Sequence, residues 1–114
     1  MPNSFNSQDK AGFLANPTIS KVASSASSIT ILASNTERKD FIIQNSSAHT
    51  LFLNLAGGEA HATTFDTGTN KGYTVALLQN DSFIGGRGCI TGTITGIWAS
   101  TDSGGAIVSE FKGA

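Results

Sequence analysis

The chain has 114 residues, with seven Lys and Arg against eight Asp and Glu, and only 13% of its residues are charged, about half the usual share of roughly 25%. That length sets one domain with one modest core, and the sparse, balanced charge excludes a phosphate-tracking surface for nucleic acid and a basic face for a membrane surface. A single cysteine, Cys89, excludes an intrachain disulfide framework, and the longest uninterrupted aliphatic stretch, VALL at 75–78, is far too short to span a bilayer.

Residues 1–17, MPNSFNSQDKAGFLANP, hold no apolar run that would serve as a signal peptide, which points to synthesis in a reducing cytosol. The segment is polar and turn-rich, and its apolar residues Phe5, Phe13 and Leu14 follow no steady period. Alone it buries too little apolar surface to offset its ordering entropy. It reads as an extended arm ahead of a domain at 18–114. It is held either by a neighbouring subunit or partner surface, or by folding back on its own domain.

From Thr18 onward the pattern is β. SKVASSASS at 20–28 carries too many serines for a good helix. SITILAS at 28–34 alternates, with Ile29 and Ile31 on one face and Thr30 and Leu32 on the other. KDFIIQN at 39–45 sets Phe41 and Ile43 opposite Ile42 and Gln44. HTLFLNL at 49–55 sets Leu51, Leu53 and Leu55 opposite Thr50, Phe52 and Asn54. This period of two marks half-buried strands, and the polar link NSSA at 45–48 predicts a hairpin between the last two. LAGGEAH at 55–61 is a loop, TTFDT at 63–67 a short strand, and GTNKG at 68–72 a turn. YTVALL at 73–78 aligns Tyr73, Val75 and Leu77, and SFIG at 82–85 resumes extended structure. Strands near 92–99 and 105–111, joined by STDSGG, complete about eight. Closely spaced short strands with glycine-rich turns read as an all-β fold, a β-sandwich or small barrel, and the expectation is a single β-sandwich with jelly-roll-like connections.

The sequence offers little chemistry. His49, His61, Glu59 and Cys89 match no zinc spacing. No G-x-S-x-G elbow marks a nucleophile. GGRG at 85–88 and AGGEA at 56–60 precede no helix whose amides would complete an anion site. The acidic residues are dispersed, and DTGTN at 66–70 lacks the ligand density of a calcium loop. Cys89 reads as a packing residue, with Arg87 the neighbour able to lower its pKa were it reactive. Trp98 shares a face with Ile94 and reads as core, the alternative being an exposed sugar platform; Gly96 between them leaves room for the indole or a facing chain. No catalytic residue, cofactor site or metal site is assigned.

ITILASNTERKDFIIQNSS ahead of a strand, and GTITGIWAS ahead of a glycine turn and the final strand, carry a resemblance. Over about residues 18–111 the chain resembles the small β-sandwich virion proteins of tailed bacteriophages, most specifically at its GTITGIWAS ending. The resemblance implies a non-enzymatic structural protein of the particle. One placement is a decoration or cement protein, homotrimeric, made in the host cytoplasm and seated on the capsid exterior against the major capsid protein. The other is a neck, tail or fibre-base component. In the decoration role Phe5, Phe13 and Leu14 of the arm, which lies outside the resemblance, would be anchors on the shell or a neighbouring copy. A glycan-binding β-sandwich stands as the alternative from a different class.

Overall fold

The computed structural model describes residues 16–86 and 88–113. Eight strands follow one another: β1 (Thr18–Ala23), β2 (Ile29–Leu32), β3 (Arg38–Asn45), β4 (Leu51–Asn54), β5 (Val75–Leu77), β6 (Ser82–Ile84), β7 (Ile94–Trp98) and β8 (Gly105–Lys112). They form two four-stranded sheets, ordered β1-β8-β3-β6 and β2-β7-β4-β5, in which every neighbouring pair is antiparallel. First pairs with last, second with seventh, third with sixth and fourth with fifth. One long hairpin, bent at the β4–β5 connection, has thus been rolled over a core. The β3–β8 and β4–β7 pairings close the roll into two sheets. That arrangement is the jelly roll, and the all-β sandwich expected from the strand pattern is what the chain forms.

Alternation decides which side chains meet inside. From the first sheet, Phe41, Ile43, Ala106 and Val108 point inward; from the second come Ile31, Leu32, Leu51, Leu53, Leu77, Ile94 and Trp98. Ile43, Leu51, Leu53, Ile94 and Val108 have no exposed surface. Each fully buried side chain of this size contributes roughly 1.5–3 kcal/mol of transfer free energy. The faces expected for 39–45, 49–55 and 92–99 are the ones observed, and Trp98 lies in the core at 2% exposure.

Three expectations need correction. The segments at 39–45 and 49–55 are not a hairpin: β3 and β4 belong to different sheets, so 46–50 is a corner crossing between layers. Ser46 still belongs to the first sheet, its amide and hydroxyl both donating to the Gly105 carbonyl of β8, at 2.8 and 3.0 Å, and the chain leaves for the other layer after it. TTFDT at 63–67 is not a strand. Its backbone closes a tight loop instead, with Asp66 N–H donating to Lys71 O at 3.1 Å and Lys71 N–H to Asp66 O at 3.0 Å. The eighth strand is β1, whose inward residues Ser20 and Val22 face Val108 and Ala106 across the ladder. Finally, Leu32 does not oppose Ile31. A bulge between Thr30 and Leu32 breaks the alternation and buries both.

Candidate functional site

Two polar side chains inside the sandwich explain how its layers are held in register. Asn45, at the end of β3, is fully buried. Its amide donates to His49 O and Leu77 O, both at 2.9 Å, and its Oδ1 accepts from Ser47 N–H at 3.0 Å and Trp98 Nε1–H at 3.1 Å. One side chain therefore joins β3 to β5 and β7 of the other sheet. Arg38 does similar work at the opposite end of β3. Its guanidinium donates to Glu110 Oε2 at 2.9 Å, to Ile90 O and Gly92 O at 3.0 and 3.1 Å, and to Ala33 O at 2.6 Å. With no exposed side-chain surface, it is a structural cation whose charge is met by Glu110 and by three carbonyls. The sequence alone presents Arg38 as one of several scattered basic residues. A bulge between Arg38 and Asp40 shifts the alternation and brings it inside, and no period announces that bulge.

The groups with chemical potential stay apart. Among the described residues, no three His, Cys, Asp or Glu side chains gather into a group able to hold a metal ion. Cys89 is half-buried against the core, and burial pushes its thiol pKa up, against a smaller downward pull from Arg38. A raised thiol is a weak nucleophile at neutral pH. Arg87, the neighbour the sequence offers for activating it, lies outside the described residues. Asp102 is held below its ordinary carboxylate range, first by the Ala48 amide that donates to it at 2.9 Å, and further by Ser47 and the Gly104 amide. Its contacts bind the 46–48 corner to the β7–β8 connection. Trp98, in the core and bonded to Asn45, is no platform for a sugar. The space above Gly96 is filled by Ile31 and Leu51 of its own sheet, not by the indole or a facing chain.

What the molecule presents instead is a surface. In the sheet β1-β8-β3-β6, the residues that alternate with the core point outward. Ladder pairing sets Ile19, Ser109, Ile42 and Ile84 in one row across all four strands. The next row is Lys21, Ile107, Gln44 and Ser82. Phe111, beside Asp40, extends the face along β8. Ile19 and Ile84 are 68% and 61% exposed, and Ile107 is 39% exposed. Isolated exposed aliphatics are ordinary, but here isoleucines from all four strands, Ile19, Ile107, Ile42 and Ile84, gather on one face around Ser109, with one lysine and one aspartate near them. Sequence reading marks 39–45 as apolar on both faces; the contributions of β1, β6 and β8 depend on strand order, which the sequence does not carry. The expected anchors Phe5, Phe13 and Leu14 lie outside the described residues.

No family model matches the chain, and neither a curated protein nor a solved structure does.

Proposed function

We propose that the chain is a structural protein of a bacteriophage particle. In this reading it is a decoration protein that sits on the capsid exterior as a homotrimer and stabilises the shell. Residues 1–17 contact the major capsid protein or a neighbouring copy through Phe5, Phe13 and Leu14. The observation that carries the reading is the outward isoleucine row Ile19–Ile42–Ile84 on a rigid sheet, a face suited to lie against another protein. Low charge supports it, since repeated copies packed on one shell repel one another little. The resemblance of 18–111 to small phage virion proteins supplies the particle as the setting. Many modest contacts repeated round a closed ring then combine through effective concentration.

The test is sedimentation velocity of the purified protein, followed by co-pelleting with shells assembled from the major capsid protein of the phage that encodes it. Expected results are a trimer that pellets with shells, and loss of pelleting on deletion of residues 1–17 or in an Ile42→Asp/Ile84→Asp variant that keeps its β-type circular dichroism. A monomer that stays in the supernatant, or a truncated protein that decorates shells fully, would refute the proposal.

A further inference from the structure

The other side of the sandwich carries a second feature, independent of the particle reading. Leu51 and Leu53 of β4 point into the core, so Phe52 between them points outward from the sheet β2-β7-β4-β5. Tyr73 packs on Phe52 with ring centroids 5.0 Å apart, and Phe65 packs on Tyr73 at 5.4 Å. The pile rises from the sheet into solvent, leaving Phe65 59% exposed and Tyr73 37% exposed. Beside it opens a cavity of about 200 Å³, into whose lining Asp66, Thr67, Asn70 and Lys71 also enter.

The walls of this cavity are fixed by the backbone. Asn54, buried at the end of β4, donates through its amide to Glu59 O at 3.2 Å, Asn70 O at 2.7 Å and Gly72 O at 3.1 Å. Asp66 closes its own turn by accepting the Gly68 amide at 2.9 Å. Gly72 has φ +136°, and a Cβ there would collide with the Phe65 ring. Only glycine at that position leaves the ring its place against the loop. A site whose walls are set before binding loses little conformational entropy on taking a ligand.

The chemistry selects the ligand class. One wall is aromatic, suited to the apolar C–H face of a ring; the others offer a carboxylate, a hydroxyl and an amide, suited to equatorial hydroxyls. Asp66 commits one oxygen to Gly68, and its carboxylate keeps further acceptor capacity for a ligand hydroxyl. Lys71 is drawn to Glu59 at 3.5 Å, so the cavity offers no concentrated positive charge for a phosphate. Its size suits a single small ring and falls short of the roughly 300–1,000 Å³ of sites for larger ligands. We infer that Phe65, Tyr73, Asp66 and Asn70 form a binding site for one pyranose ring of a glycan. This is the class of ligand that an exposed Trp98 would have served, moved to a different place in the fold.

The test uses the full chain and the methyl glycosides of glucose, galactose, mannose and N-acetylglucosamine, followed by saturation-transfer and ¹H–¹⁵N NMR. A single ring held by stacking and a few hydrogen bonds gives a dissociation constant on the order of millimolar. At least one glycoside is expected to saturate and to shift the resonances of 65–73. Phe65→Ala, which removes a mostly exposed ring, should weaken binding about tenfold or more while leaving spectral dispersion intact. Asp66→Asn, which preserves the turn but removes the charge, should weaken it less. The inference is overturned if no glycoside shifts these resonances at about ten times the expected constant. It is equally overturned if Phe65→Ala binds as wild type, or if adenosine occupies the same resonances more tightly than every glycoside. The capsid assay is unaffected by any of these outcomes.

Discussion

Replacing Asn45 with alanine tests how far a single buried amide holds the two sheets together. The substitution removes four hydrogen bonds and leaves the Trp98 indole N–H, the Ser47 amide and the Leu77 and His49 carbonyls without their partner. Three of the four bonds are fully buried. At about 0.5–1.5 kcal/mol net per bond, with a further penalty where a stranded group stays dry, the loss comes to roughly 3–5 kcal/mol after local relaxation. A domain of this size has about 5–15 kcal/mol to lose, and at roughly 4 °C per kcal/mol the midpoint of thermal unfolding should fall by about 12–20 °C. Urea unfolding followed by Trp98 fluorescence reads the free-energy loss and a thermal ramp with the same probe reads the midpoint, since the only tryptophan is itself a partner of the deleted group. Its native emission should also shift as the indole loses its acceptor. Trp98→Phe, followed with its double variant by far-UV circular dichroism because it removes the only tryptophan, supplies the other arm of a double-mutant cycle, with an expected coupling on the order of 1 kcal/mol. A loss below about 1 kcal/mol, or additive single variants, would mean that the corner is held by backbone contacts alone.

Other expectations follow from the same interior. Gly96→Ala brings a Cβ to 2.8 Å from Ile31 Cγ1 and 3.0 Å from Leu51 Cδ1, and should cost about 1–3 kcal/mol by overpacking in denaturant titration. Arg38→Leu leaves Glu110 and three carbonyls without their cation and should cost about 3–5 kcal/mol, partly recovered by adding Glu110→Leu. Asp102 has its folded pKa depressed, so its contribution to stability is fully present above the unfolded value and is lost as pH falls through the folded one. The gap in melting temperature between wild type and Asp102→Asn, largest near neutral pH, should therefore close in acid. Cys89, with its thiol raised by burial, should label slowly with iodoacetamide at pH 7 and rapidly once the protein is unfolded.

Sequence pattern reveals this fold wherever a strand is half-buried and regular. At β7 and along 39–45 and 51–53 the inward set is correct residue by residue, because one face meets the core and the other does not; Arg38 and Asn54, at the ends of β3 and β4, are buried against the alternation. The pattern fails where pairing outweighs composition. TISKVA at β1 has only one strongly hydrophobic inward side chain, Val22, and becomes a strand because β8 pairs with all six of its residues. TTFDT has good strand formers, but Asp66 captures the backbone for a turn. The predicted hairpin fails for a topological reason: consecutive strands of a rolled hairpin often lie in opposite sheets, and a four-residue polar link serves a corner as well as a turn. The same gap hides both candidate surfaces. The isoleucine row joins residues from 19 to 109 through strand order, and the pile of Phe52, Phe65 and Tyr73 is assembled by a loop whose path no periodicity records.

The partnership of β1 with β8 also governs how the molecule is born. β8 lies between β1 and β3, so two strands made early stay unjoined until one made about 90 residues after β1 leaves the ribosome. At translation speeds of roughly 5–20 residues per second that delay is about 5–20 s. Once made, Phe41, Ile42 and Ile43 form a nascent segment apolar on both faces that waits first for β6 on one side and then for β8 on the other. Topologies with such distant pairings fold slowly and are vulnerable to aggregation while they wait. The interval before β8 emerges is thus the stage at which the growing chain is most open to aggregation.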